Sequence, residues 1–93
     1  MKRALLRCGA FLRAAKKYSK THPEAIDDLK SAIQLLEADA FHPLLKTHNL
    51  SGQLKDSWAC SAGYNLRIVF KFVSYEGSEA ILLETVGTHD EVY

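Results

Sequence analysis

The sequence predicts an α+β domain: an opening strand, two helices, then an antiparallel three-stranded meander with both helices on one face of the sheet. Three observations lead there. Between Ala10 and Phe41 apolar residues recur at three- and four-residue steps, which is the period of a helix, and from Leu54 onward they recur at every second residue, the period of a strand. Turn signals at Ala62-Gly63 and Tyr75-Glu76-Gly77-Ser78 divide the second half into three strands. The 93 residues suit one domain, residues 1–93, because a chain of this length builds a single core of modest size.

Taken in order, Arg3 to Arg7 is a short apolar run before a glycine and reads as the opening strand. From Ala10 to Lys20, Phe11, Leu12, Ala15 and Tyr18 fall at helical spacing, with Arg13, Lys16, Lys17 and Lys20 on the remaining faces. Thr21-His22-Pro23 ends this helix and starts the next, since proline is tolerated in a first turn and Glu24, Asp27 and Asp28 complement the positive end of the helix dipole. Ile26, Leu29, Ile33 and Leu36 then stack in one apolar stripe, and Phe41-His42-Pro43 closes the helix. Leu44 to Gly52 reads as a connecting loop. In the meander, Leu54, Asp56, Trp58 and Cys60 alternate with Lys55, Ser57, Ala59 and Ser61. In the following strand, Tyr64 to Val73, Leu66, Ile68, Phe70 and Phe72 share one face, which leaves Asn65, Arg67, Val69 and Lys71 on the other. The last strand, Ala80 to Val86, is apolar on both faces, as an interior strand is. One face of the sheet is left open.

Composition removes several classes. With 47% apolar and 25% charged residues the chain is an ordinary globular one, neither disordered nor fibrous. No apolar run reaches the roughly 18 residues of a membrane span, and Arg7 and Arg13 interrupt any signal-peptide core, so the reading is a cytoplasmic protein without a membrane partner. Cys8 and Cys60 match no metal-ligand spacing and read as two reduced, largely buried thiols. The net charge of +1 conceals a segregation: bases crowd the first twenty residues and recur at Lys46, Lys55, Arg67 and Lys71, while acids gather at Glu24, Asp27, Asp28, Glu37 and Asp39. Ser57, His89 and Asp90 are triad residue types without a nucleophile elbow, and His42, His48, His89 and Cys60 are zinc-ligand types without a paired motif. No metal site and no cofactor is predicted.

Three segments in order, Leu54-Lys55-Asp56-Ser57-Trp58-Ala59, Leu66-Arg67-Ile68-Val69-Phe70 and Gly87-Thr88-His89-Asp90-Glu91-Val92-Tyr93, make the sequence similar to the RelE/ParE toxin superfamily, nearest its YafQ-like branch. With the two helices included, the resemblance covers almost the whole chain. It implies a RelE-like fold and the toxin of a type II toxin–antitoxin system: a ribosome-dependent endonuclease acting on mRNA in the ribosomal A site. It further implies neutralisation by a cognate antitoxin, through which the complex binds its own operator DNA.

Cleavage by attack of a ribose 2′-hydroxyl on the adjacent phosphate needs a base, a cation for the phosphoryl oxygens and an acid for the leaving oxygen. Arg67 suits the cation, because guanidinium stays charged and binds phosphate through two hydrogen bonds; the plainer reading is a sheet-surface arginine paired with an acid. The resemblance implies that His89 is a proton-transfer group, that Tyr93 touches the scissile nucleotide, and that His48 is a second acid–base candidate. Against these stand a hydrogen-bonded loop histidine, a terminal tyrosine filling an edge, and a solvated loop histidine. Lys46, Lys55, Lys71 and Asn65 are candidate RNA contacts, the lysines otherwise being ordinary surface charges. His22 and His42, each before a proline, are assigned to structure, and Trp58 to the core. The chain departs from the YafQ pattern at Ala59, Ser61 and Asn65, where that branch carries acidic and histidine residues, which points to a mixed site more dependent on cations. Two other readings of the same fold are a ParE-like inhibitor of DNA gyrase, whose class generally lacks the terminal histidine and aromatic pair, and a degenerate toxin that only binds its antitoxin.

Overall fold

The computed structural model describes residues 3–50 and 56–92. The elements run β1 (Ala4–Arg7), α1 (Gly9–Thr21), α2 (Ile26–Ala38), β2 (His48–Asn49), β3 (Trp58–Ala62), β4 (Leu66–Tyr75), β5 (Ser78–Thr88) and α3 (His89–Val92), with single 3-10 turns at Pro23–Ala25 and Pro43–Leu45. The sheet has the order β1-β5-β4-β3-β2. β1 lies parallel to β5, which places the opening strand beside the last one, and all other neighbours are antiparallel.

The predicted strand, two helices and meander are present, and two short elements are added, β2 and α3. The segment read as a connecting loop contributes β2, whose His48 and Asn49 pair with Ala59 and Trp58 at the edge of the sheet. A two-residue strand is too short to leave a period in the sequence; it exists because β3 offers an unpaired edge. β4 begins at Leu66, later than predicted, because residues 63–65 form the turn. That turn takes Gly63 into the left-handed region, φ +80°, where a Cβ would also come within 2.5 Å of the Asp28 carboxylate on α2. The β4–β5 connection is the two-residue turn Glu76-Gly77, both at positive φ (51° and 80°), the geometry whose twist matches a hairpin.

The core lies between the helices and one sheet face. Phe11, Ala32 and Leu36 from the helices meet Cys60, Ala62, Leu66, Ile68, Phe70, Ile81, Leu83 and Val86 from the strands. Ala14, Ala15 and Tyr18 continue the buried stripe of α1, whereas Leu12, predicted to share it, turns to solvent at 52% exposure; a residue one position from Phe11 is rotated about 100° away. Trp58 packs on the core as predicted, edge-on to Phe41 and Phe72. Cys60 is buried and unpaired, and burial pushes its thiol up to about 12, the nearby Arg67 charge and a hydrogen bond at Ile68 opposing the shift.

β5 carries a bulge. Phe70 pairs with Leu83 and Val69 with Thr85, so Glu84 is one residue too many for its partner strand. Val86 therefore returns to the core side, and Glu84 is re-aimed toward Lys71 and Ser57 on the opposite face.

The opposite face is less open than predicted. Leu50 and Val92 close over Ala59 and Val69 to make a second, small apolar cluster. Val92 thus packs against a cluster that joins β3, β4 and the residue that follows β2.

Candidate active site

Arg67 projects from the face of β4 away from the helices, as the alternation of that strand predicts, and its register partners are Ser61 on β3 and Gly87 on β5. Gly87 has no side chain to crowd it. The guanidinium leans toward the β3–β4 turn, where Nη1 donates to the carbonyls of Leu66 at 2.9 Å and Tyr64 at 3.3 Å.

The pairing of Leu66 with Thr88 brings the next residue, His89, beside Asn65, and the His89 N–H donates to the Asn65 carbonyl at 3.2 Å. Arg67 near the start of β4 and His89 just past the end of β5 are thereby held at the same end of the sheet. The imidazole is more than half exposed, with Nδ1 3.5 Å from the Asp90 carboxylate. Asn65, expected on the open face of β4, sits instead in the turn, and its backbone positions His89.

β5 passes into α3 through a reciprocal pair of hydrogen bonds. The Thr88 N–H donates to Glu91 Oε1 at 2.8 Å, and the Glu91 N–H donates to Thr88 Oγ1 at 3.3 Å. These bonds hold the Glu91 carboxyl below the usual carboxylate range, with smaller contributions from the charges of Lys17 and His22 at the end of α1.

The remaining predicted residues are more dispersed. His48 is exposed on the edge strand β2, its Nδ1 3.0 Å from the Lys46 carbonyl, two inter-strand spacings or about 10 Å from β4. Lys46 is exposed and adopts a left-handed φ of 52° to end the 3-10 turn at Pro43–Leu45. Lys71 lies four residues, about 13 Å, along β4 from Arg67, and its Nζ is 3.6 Å from Glu84. Lys55 and Tyr93 lie outside the described residues. His42 has the structural role assigned to it, accepting the Leu44 N–H. His22 stacks on Tyr18 at 4.3 Å and also faces a cavity.

That cavity, about 680 Å³, runs between α1 and the second half of β5, and its walls include Lys17, Tyr18, Ser57, Glu84, Thr85 and Glu91. Arg67, His48 and His89 do not line it. Ser57, the one buried polar residue among those described, donates to Glu84 Oε1 at 2.8 Å, so Glu84 on β5 joins Ser57, just before β3, and Lys71 on β4 in a polar chain. Sequence reading missed Glu84 and Glu91. The bulge that redirects Glu84 leaves no pattern, whereas Thr88-x-x-Glu91 is a legible capping motif. Among the described residues no group of three or more His, Cys, Asp or Glu side chains gathers at metal-binding distance, and no helix is long and apolar enough to cross a membrane.

No family model and no curated protein sequence matches the chain. Solved structures do. YafQ from E. coli superposes with a TM-score of 0.77 at 17% identity, over 99% of both chains. The chain has the RelE/YafQ toxin fold. The same toxin within the E. coli DinJ–YafQ toxin–antitoxin complex gives 0.76 at 18% identity, covering 100% of this chain and 99% of that one. A YoeB/ParE toxin from Agrobacterium tumefaciens gives 0.74 at 14%, over 92% and 98%. These structural neighbours are toxins of toxin–antitoxin systems, and what they share with this chain is the fold.

Proposed function

We propose that this protein is the toxin of a type II toxin–antitoxin system, a ribosome-dependent endonuclease that cuts mRNA in the A site without a metal. The observation that carries the reading is that strand register and the bond from His89 to the Asn65 carbonyl put Arg67 and His89 at the same end of the sheet, in a fold shared with YafQ along its whole length. In the reaction the ribose 2′-oxygen attacks phosphorus, the bond from phosphorus to the 5′-oxygen breaks, and a 2′,3′-cyclic phosphate and a 5′-hydroxyl result. Arg67 stabilises the charge that builds on the phosphoryl oxygens. His89 exchanges a proton with the attacking or leaving oxygen, and His48 and Tyr93 are the candidates for the complementary transfer. Lys46, Lys55, Lys71 and Asn65 are assigned to RNA contacts, Lys71 sharing its charge with Glu84.

A cognate antitoxin neutralises the protein in the cytoplasm, as the complex of YafQ with DinJ supports by analogy, and carries the pair to its operator. The test is inducible expression in a bacterium with mapping of mRNA 5′ ends. New ends within reading frames are expected for the wild type and are lost in Arg67→Ala and His89→Ala. Growth arrest without new ends, accompanied by inhibited supercoiling in a gyrase assay, would replace this reading with the gyrase-inhibitor one.

A further inference from the structure

α3 has only four residues, too few for its own backbone hydrogen bonds to sustain it. Three separate contacts hold it in place. Glu91 and Thr88 exchange hydrogen bonds at its start. Val92 packs into the small cluster with Leu50, Ala59 and Val69. Gly87 leaves the gap into which the turn fits, since a Cβ there would stand 3.2 Å from Glu91 Oε1, 3.3 Å from Glu91 Cβ and 3.5 Å from Val92 Cγ1.

The first residue of this turn is His89. Its backbone N–H is tied to Asn65, but the direction of its side chain follows the course of α3. We propose that Glu91 is a positioning residue, whose reciprocal hydrogen bonds with Thr88 fold the C-terminal turn back over the sheet and so keep the His89 imidazole at the Arg67 end. The inference rests on the reading of His89 as a proton-transfer group.

Removing the Glu91 side chain takes the acceptor from the Thr88 N–H, and the turn loses the contact that starts it. Val92 then competes with solvent for its place over Val69, and the imidazole samples several directions. A displacement of about 1 Å in a reacting group lowers a rate on the order of 100-fold. Glutamine keeps an acceptor oxygen at the same reach and preserves the motif, so Glu91→Gln and Glu91→Ala separate the hydrogen bond from the rest of the side chain.

Wild type, Glu91→Ala and Glu91→Gln are compared in single-turnover cleavage of ribosome-bound mRNA, in affinity for the programmed ribosome, and in the {1H}–15N heteronuclear NOE of residues 88–92. Glu91→Ala is expected to lose cleavage rate on the order of 100-fold with unchanged ribosome affinity and a collapsed NOE. Glu91→Gln is expected to stay within about threefold of wild type with its NOE intact. An unchanged rate in Glu91→Ala, or a glutamine variant as impaired as the alanine one, overturns the proposal. Should the wild type not cut RNA at all, the functional reading falls, and the NOE decides the latch alone: order lost in the alanine variant and kept in the glutamine one upholds it, and order kept in both removes it.

Discussion

On the helix-covered face of the sheet, Leu66, Ile68, Phe70, Ile81 and Leu83 are sealed beneath α1 and α2, whereas the other face of the same strands carries Arg67, Lys71 and Glu84 around a small cluster at Val69. Alternation along β4 alone assigns each residue to one population or the other. The contrast teaches that volume and chemistry are separately adjustable here: one face is close-packed and intolerant of lost methylenes, and the other holds charged groups partly in solvent.

Phe70→Ala breaks the covered face most severely. Its ring has no solvent exposure and stands edge-on to Phe72, so about 3–5 kcal/mol is lost, read as a fall in the urea midpoint and in soluble yield. If both faces responded alike, Arg67→Ala would destabilise comparably. Instead it is expected to cost cleavage on the order of 100- to 1,000-fold while its unfolding midpoint stays within about 0.5 kcal/mol of wild type. His89→Ala extends the same test to the end of β5, with a loss on the order of 100- to 10,000-fold and no change in melting; an intact rate would remove His89 from the chemistry. Between the extremes lies Val69→Ala, which thins the small cluster under Val92 and is expected to cost about 1–2 kcal/mol, measured by equilibrium denaturation.

The last test concerns Cys60 on the covered face, whose titration has no effect at neutral pH and appears only in alkali. Its folded pKa of about 12 lies above the ordinary thiol value of 9.0, so the folded state holds its proton longer than the unfolded state does. Stability from this group is therefore complete below pH 9.0 and declines as pH rises toward about 12, by up to about 1.4 kcal/mol per pH unit. Cys60→Ala should flatten that alkaline slope in pH-dependent unfolding. At neutral pH an alkylating reagent should modify Cys8, which is only half-buried, before Cys60.

Much of this was legible beforehand because it is periodic. The helical stripes of Phe11, Ala15 and Tyr18 and of Leu29, Ile33 and Leu36 marked the two helices, the alternation from Leu66 to Phe72 marked the strand that bears Arg67, and the resemblance at Gly87-Thr88-His89 singled out His89. Leu12 was misplaced because an amphipathic period tolerates a neighbour error that burial does not. Asn65 was misplaced because the limits of a turn are set by pairing register, here by the bond from His89 to the Asn65 carbonyl.

By itself, then, the sequence determined the order of the main elements and the faces of β4, since these depend on spacing along one segment, while the resemblance to a known family marked Arg67 and His89 as candidates. The tertiary structure alone decided that Arg67 and His89 share an end of the sheet, that the bulge turns Glu84 toward Lys71 and Ser57, and that Val92 closes over Val69. Each of these joins residues far apart in the chain, and such contacts follow from strand register and the packing of facing side chains, neither of which a local period encodes.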